Sequence, residues 1–427
     1  MEPTNLTHDT SCMDDFDPSS LDAKQALMQI LNTVKKLQQT DTVPLRSALG
    51  RLAAKEVYSK INVPGHKNSA MDGYALRGED IPAQKQRTLS VIGTSWAGRP
   101  YPGTIKHGEC IRIMTGAALP DGSDTVVIQE RVQKNGTTIS IGSDNNRGQN
   151  VRHAGEDIAA GDLVLDQGKY IGPAELGLLA SIGVSNVTVY RKLRVAFFST
   201  GDELCPVGTE LEKGQIYDSN RYTLFGMLSR LGVEIIDMGV IMDERSAVEQ
   251  AFSNAANQAD VVITSGGVSV GDADFVKETL EKVGAVNFWK VSMKPGRPLA
   301  FGKIRNTWFF GLPGNPVSVM VTFYMFVQPA LKKMMGGLHY EPLKINAICS
   351  SKLRKRAGRV EYQRGILTQK KNEKLTDIDY EVTKTGSQGS GILRSMSEAN
   401  CFIILPMESS GVEAGDTVQV LPFEAII

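Results

Sequence analysis

Val261-Val262-Ile263-Thr264-Ser265-Gly266-Gly267-Val268-Ser269-Val270-Gly271-Asp272-Ala273-Asp274 runs from an apolar segment through glycines to an acidic pair. Its first residues form an apolar, β-branched run too short for a helix, and it enters a glycine-rich loop before a helical pattern begins at Asp274. A buried strand that turns on glycines into a helix is one step of a parallel α/β layer. The same alternation recurs on both sides of it. Strands are expected at 194–198, 233–238, 261–264 and 308–311, with helices near 220–231, 246–257, 274–283 and 317–334. The pattern predicts a doubly wound, mostly parallel α/β domain.

Ligands of such a sheet bind beyond the carboxyl ends of its strands. The loop at Thr264–Gly271 lies there, and converging backbone N–H groups at a helix start would suit a phosphate; a tight turn packing helix on strand is the plainer reading. Gly266 and Gly271 have Walker spacing, yet Asp272-Ala273 replaces Lys-Ser and no GxGxxG is present, which disfavours a P-loop NTPase or a Rossmann dehydrogenase. Asp202, Glu203, Asp243, Asp272 and Asp274 follow the expected strands. They suit either a shared hard cation or, one by one, helix caps. Lys290, Lys294 and Arg297 are set among Pro295, Gly296 and Pro298, which stiffen the backbone and suit a second oxyanion better than a solvated helix face.

Elsewhere the period changes. Apolar residues at Ala23, Leu27, Ile30, Val34 and Leu37 predict a helix over 20–37 capped by Ser20. Short strand-like runs between 88 and 141 predict a small β domain inserted into the first. A helix is expected over 172–182, and from 344 to 427 short runs broken by Gly, Asn and Lys predict a C-terminal β barrel or sandwich. Asn68 to Ala75 and Arg152 to Asp157 read as polar turns presenting acidic groups, and either is equally an Asx-type turn.

The 427 residues carry 47 basic and 47 acidic side chains, so no global field favours nucleic acid or an anionic membrane. Five cysteines, odd in number and without CxxC spacing, predict separate reduced thiols. No secretory-type start and no apolar stretch near membrane length is found, which predicts a cytoplasmic protein.

Asn68–Ala75, Ile111–Ala117, Gly155–Ile158, Phe198–Leu204, Gly214–Asn220, Ser265–Gly271, Met293–Pro298 and Leu312–Ser318 occur together and in order. Together they resemble the MoeA family of molybdopterin molybdenumtransferases, related to the E domain of gephyrin and its plant counterpart. The likeness covers nearly the whole chain after about Leu21. It implies a homodimer of elongated four-domain subunits: a mixed domain at 20–62 and 155–190, an inserted β domain at 63–154, the α/β domain at 191–341 and a β barrel at 342–427. It further implies molybdopterin-AMP and molybdate as substrates, molybdenum cofactor and AMP as products, Mg²⁺ as cofactor, and transient contact with the adenylyltransferase and with cofactor acceptors.

Carried over by motif, Asp72, Thr115, Asp157, Glu203 and Asp243 correspond to functional positions of the cleft, as does Asp274, which with Asp243 is expected to hold metal. Asp218, Gly266 and Gly267 correspond to nucleotide and Mg²⁺ handling. Lys290, Lys294, Arg297, Ser318, Arg364 and Ser390 match positions used around molybdate or the pterin. Arg297 stands where members often have Lys, and Lys67 where they often have Asp. An adenylyltransferase and a gephyrin-like scaffold are the alternatives; the extra domains disfavour the first, and the lack of a long linker disfavours the second.

Overall fold

A computed structural model describes residues 20–267, 276, 279–280, 284–337, 341–370 and 380–425. The chain divides into two compact units, one of residues 41–189 and one formed by the segments that flank it. The first helix, α1 (Ala23–Thr33), belongs to the flanking unit. It is capped by Asp22, whose carboxylate accepts from the N–H groups of Lys24 and Gln25 at 2.9 and 3.1 Å, and not by Ser20 as the sequence suggested. The reason lies one residue earlier. Leu21 is held in an extended ladder, donating to the Lys290 carbonyl at 2.7 Å and accepting from Ser292 N–H at 2.8 Å, so the helix cannot start before it. It ends at Thr33, and Leu37 is fastened as extended chain to the Met334 carbonyl.

In the unit of residues 41–189, six strands form one sheet: β1 (Gly73–Leu76), β2 (Arg87–Ser95), β3 (Glu109–Ile113), β4 (Thr125–Ile128), β5 (Gln133–Asn135) and β6 (Thr138–Ile141), in the order β4-β1-β3-β2-β6-β5. This is the inserted β domain that the short runs predict. Tyr74, Leu76, Leu89 and Val127 bury one face, and Ala75, Ile111, Ile113 and Val126 bury the other. A separate core gathers Ala48, Ile158, Leu165, Ile171 and Val189 around Leu179 of α2 (Pro173–Ser181).

The flanking unit holds a second six-stranded sheet, of β7 (Arg194–Thr200), β8 (Glu234–Ile241), β9 (Val261–Ser265), β10 (Gly284–Lys290), β11 (Pro298–Ile304) and β12 (Thr307–Leu312), ordered β8-β7-β9-β12-β11-β10. The first four in that order are parallel, and β11 runs against both β12 and β10. Because side chains alternate, Val195 and Phe197 of β7 face a core with α3 (Ser219–Arg230), while Ala196 and Phe198 face α4 (Arg245–Gln258). Helices therefore cover both faces, as doubly wound folds require.

The expected parallel strands are present, each a residue or more longer than its apolar run. β10 and β11 are not among the expected strands: Pro298–Ile304 is buried along most of its length and so shows no polar alternation, and Gly284–Lys290 is an edge strand, with Ala285 and Asn287 exposed, that is held by its pairing with β11. The helix expected at 317–334 is interrupted, running as α5 (Pro316–Thr322), a wide π turn at Phe323–Val327, and α6 (Gln328–Met334). Pro329 has no N–H with which to continue the regular ladder. Of the helix expected at 274–283, Val276 and Leu280 are described, and both are buried against the α4 face.

The last layer is a closed five-stranded barrel of β13 (Ile345–Cys349), β14 (Val360–Gln369), β15 (Tyr380–Lys384), β16 (Cys401–Leu405) and β17 (Thr417–Pro422), closed by the pairing of β14 with β16. Cys110, Cys205, Cys349 and Cys401 are all free thiols, as their spacing predicts. No helix among the described residues is long and apolar enough to cross a membrane.

Phe252 of α4 makes edge-to-face contacts with Phe198 and Phe309 at 5.3 and 5.6 Å and is 1% exposed. Phe252→Ala is expected to cost about 3–5 kcal/mol through the cavity it leaves, read as a lowered urea midpoint.

Candidate functional site

In the unit of residues 41–189, the site begins at Gly73. A Cβ there would collide with the Val127 carbonyl oxygen, so only glycine lets β1 and β4 close at this point. That closure sets Asp72 at the mouth of the sheet, where one carboxylate oxygen accepts from both the N–H and the hydroxyl of Thr115, each at 2.8 Å. Thr115 sits in the turn after β3, tightened by Gly116 at φ 80°. The backbone N–H of Thr115 above all, then its hydroxyl, hold the Asp72 carboxyl below the usual carboxylate range, and Arg112 adds to this. Asp72 and Thr115 are thus one structural group. Asp157 is an exposed residue of the turn before Ile158, with its N–H on the Val63 carbonyl at 3.0 Å.

In the flanking unit, the parallel strands end at one edge of the sheet. Two reversals, through β11, restore the direction of β12 in β10, so Lys290 ends its strand at that same edge. There Ser265-Gly266-Gly267 leaves β9. Gly266 and Gly267 have φ of 91° and 65°, and a Cβ on Gly266 would come within 2.8 Å of the Thr200 carbonyl oxygen. The turn therefore demands glycine. The Gly266 N–H donates to Leu312 O at 3.1 Å, so this amide is spent on the sheet and does not face an anion. Residues 268–275, with Asp272 and Asp274 among them, lie outside the described residues.

Asn220 was not singled out for a role of its own, yet it ties this edge together. Its amide donates to Ser265 Oγ at 2.9 Å and to the Gly314 carbonyl at 2.7 Å, joining the start of α3, the end of β9 and the Leu312-Pro-Gly-Asn-Pro316 loop. The signal for it was its place in the Asp218-Ser-Asn220 segment. Asp218 itself caps α3, accepting from Arg221 N–H at 3.1 Å, which is the cap alternative. Its second oxygen, however, is buried without a partner, as are Asn220 Oδ1 and Ser199 Oγ. Such buried acceptors invite donors or a cation from a ligand.

Asp202, Glu203 and Asp243 do come together. Asp243 N–H lies 3.4 Å from Asp202 Oδ1. Burial first, then Asp202 and Glu203, push the Asp243 carboxyl above the usual range. Among the described residues no three of His, Cys, Asp or Glu form a ready cage for a metal ion.

The cations form a second group. Lys290 and Arg297 flank a hairpin, Val291 N–H donating to Arg297 O at 2.7 Å. Lys294 Nζ is 3.1 Å from Glu361 of β14. Gly296 packs on α5, where an added Cβ would lie 3.5 Å from Ser318 O. The Val317 N–H in turn donates to Ser390 O at 3.0 Å. Arg364, 1% exposed, donates to Ser395 Oγ and to Gly389 O, both at 3.0 Å, and burial drops its pKa to about 10. Contacts of this chain thus gather Lys294, Arg297, Ser318, Arg364 and Ser390 between α5 and the barrel. The Pro313–Pro316 loop links the two groups: Leu312, just before it, accepts from Gly266 N–H of the glycine turn, and Val317, just after it, donates to Ser390 O.

Three regions match family models: residues 21–183 the MoeA N-terminal region (domains I and II), 196–333 a probable molybdopterin-binding domain, and 346–423 the MoeA C-terminal region (domain IV). The chain is 46% identical over 405 residues to the molybdopterin molybdenumtransferase of Haemophilus influenzae, covering 94% of this chain and 98% of that one. It is 35% identical to gephyrin of Dictyostelium discoideum, covering 90% of this chain and 59% of gephyrin. A crystal structure of the molybdopterin biosynthesis MoeA protein of Pyrococcus horikoshii matches with a TM-score of 0.76 and 32% identity over 95% of this chain and 99% of that one.

Replacing Thr115 by Val removes one of the two bonds that keep Asp72 ionised. The Asp72 carboxyl is expected to titrate at higher pH in that variant, followed by its ¹³C resonance, whereas an unchanged midpoint would show that the hydroxyl contributes nothing.

Proposed function

This chain belongs to the MoeA family of molybdopterin molybdenumtransferases and acts in molybdenum cofactor biosynthesis, and from that premise we propose that it inserts molybdate into adenylylated molybdopterin with release of AMP. The observation that carries the reading is two unlike clusters linked by the Pro313–Pro316 loop, an oxygen-rich one at the sheet edge around Asp218 and Asp243 and a cationic one against the barrel around Lys294, Arg297 and Arg364. A substrate with a nucleotide at one end and a metal oxyanion to be received at the other needs both.

The nucleotide end lies on the Ser265-Gly266-Gly267 turn, with Asp218, Asn220 and Ser199 offering acceptors to its donor groups. Molybdate, the second substrate, is held by Lys294, Arg297 and Ser390, with Lys290 and Arg364 adding positive charge and Ser318 closing the wall. The planar fork of Arg297 grips two oxygens of one oxyanion, which the lysine common in the family does not. The two dithiolene thiols then bind molybdenum, an oxo ligand leaving with their two protons as water, and a water molecule hydrolyses the phosphoanhydride, releasing AMP and leaving a phosphate on the pterin side. The fixed cations stabilise the oxyanion charge as it develops, without reorganisation. Asp72, kept ionised by Thr115, and Asp157 supply the remaining acidic positions that the family motifs assign to the reaction.

Mg²⁺ is the cofactor in this reading. The residues fit it in one specific way: crowded carboxylates at Asp243, Asp202 and Glu203 repel each other, yet they form no complete cage. That suits an ion which typically takes one or two carboxylates and completes its shell with substrate phosphates and water. Asp243, and Asp274 beyond the described residues, would hold it, and when bound it would polarise the phosphoanhydride. The protein is cytoplasmic in this reading and works without nucleic acid or membrane, handing its product to cofactor acceptors after transient contact with the adenylyltransferase.

We also propose that it works as a homodimer. Tyr222, Phe225 and Gly226 leave a bare face on α3 at helical spacing, beside exposed Ile216 and Tyr217. Phe225→Lys is expected to shift the protein from dimer to monomer in light scattering; a dimer that persists unchanged removes α3 from the interface.

Asp243→Asn, folded and of wild-type size, is expected to lower molybdate-dependent AMP release on the order of 100-fold, as losing one preorganised electrostatic group does. Release at the wild-type rate, or release that survives complete chelation of Mg²⁺, would remove metal binding from this site.

A further inference from the structure

Glu361 lies where a carboxylate is least expected, inside the cationic group, and it is 5% exposed. One of its oxygens is 3.1 Å from Lys294 Nζ, and the other accepts from Gln363 Nε2 at 3.0 Å. Both oxygens are engaged, so the group is fixed in place. Lys294 is by contrast 56% exposed at its side chain and has room to turn elsewhere.

Two more buried cations feel the same carboxylate. Lys355 spends its ammonium on the carbonyls of Arg356, Met407 and Ser409 at 3.1, 3.1 and 2.8 Å, and Arg364 donates to a hydroxyl and a carbonyl. Burial weakens the charged form of each, and Glu361 restores part of it, with Glu408 adding to this at Lys355. The acceptors of both are neutral oxygens, carbonyls and a hydroxyl. Glu361 is therefore the shared counter-charge of a group of cations that otherwise repel one another.

We propose that Glu361 is the resident anion of the oxyanion site: it holds the Lys294 ammonium in position while the site is empty, and an entering oxyanion must draw Lys294 away from it. The inference rests on the reading that Lys294 meets molybdate. Glu361 touches no reacting atom and is a positioning residue that sets how tightly, and with what charge, an oxyanion is received. An anion on Lys294 sits within a few ångströms of a fixed negative charge, which favours release of a bound oxyanion over its retention. A mere structural strut would behave differently, because its loss loosens the site and weakens binding.

The test is a calorimetric titration of sodium molybdate into the full-length chain. Glu361→Gln keeps the size and an acceptor for Lys294 while removing the charge, and it is expected to bind molybdate roughly fivefold to tenfold more tightly, most clearly at low salt. Glu361→Asp keeps the charge on a shorter arm and is expected not to tighten. Glu361→Gln binding at or below wild-type strength overturns the proposal, as does equal tightening by Glu361→Asp. Lys294→Met separates the placement of the oxyanion from the role of Glu361: if it binds molybdate like the wild type, the placement of the oxyanion falls and the proposal with it. If Lys294→Met weakens binding while Glu361→Gln leaves it unchanged, only the role of Glu361 falls. A variant-free arm guards against misfolding. Infrared difference spectra of the wild-type chain with and without molybdate should show a shifted carboxylate band as Glu361 loses its partner, and its absence overturns the proposal.

Discussion

Burial of both faces of the parallel sheet is the constraint from which the rest follows. Val195, Phe197, Ile263 and Phe310 are covered on one side, and Ala196, Phe198, Val262 and Phe309 on the other. With both faces sealed, polar chemistry is left only the edge where strands end. There backbone groups lose their ladder partners and polar side chains find room. β7, β8, β9, β12 and β10 all deliver their last residues to that edge, so Thr200, Ile241, Ser265, Leu312 and Lys290 become neighbours in one rim.

Two groups of opposite charge, linked by the Pro313–Pro316 loop, lie at this rim and against the barrel. Carboxylates gather at Asp202, Glu203 and Asp243, where burial first, then the charges of Asp202 and Glu203, raise the proton affinity of Asp243. Cations gather where the Met293–Pro298 segment meets β14 of the barrel. Like charges repel within each cluster and burial adds a desolvation cost, which in the cationic group Glu361 partly offsets. The cations are fastened by neighbours, Lys355 by three carbonyls and Arg364 by a hydroxyl and a carbonyl, while beside the carboxylates Asn220 ties the strand ends together with two hydrogen bonds from its amide. Rigid elements holding mutually repelling groups are what a substrate of complementary charge completes.

Much of this was legible from residue order. The parallel strands, α3, α4, the inserted sheet and the barrel follow from period and from glycine and proline placement, and the family motifs named Lys294, Arg364 and Ser390 as one group. The misses share a cause, in that each depended on a contact distant in sequence. Asp22, not Ser20, caps α1 because Leu21 is bound to a strand some 270 residues on. β11 lacks alternation because burial replaced its polar face, whereas the edge strand β10, with Ala285 and Asn287 exposed, owes its strand to pairing with β11. Gly266 looked like an anion donor, but its N–H belongs to Leu312.

Residue order by itself determined the class of each layer, the glycines and prolines that shape the loops, and the kinds of charge available, because these depend on local period and on chemistry carried by single side chains. Tertiary structure alone decided the partnerships: which carboxylate faces Lys294, which loops Asn220 joins, which N–H is already spent, and which acceptors stay buried without a donor. Those are set by strand order and by barrel closure, both products of packing between segments far apart along the chain, and a one-dimensional pattern does not encode a distance between them.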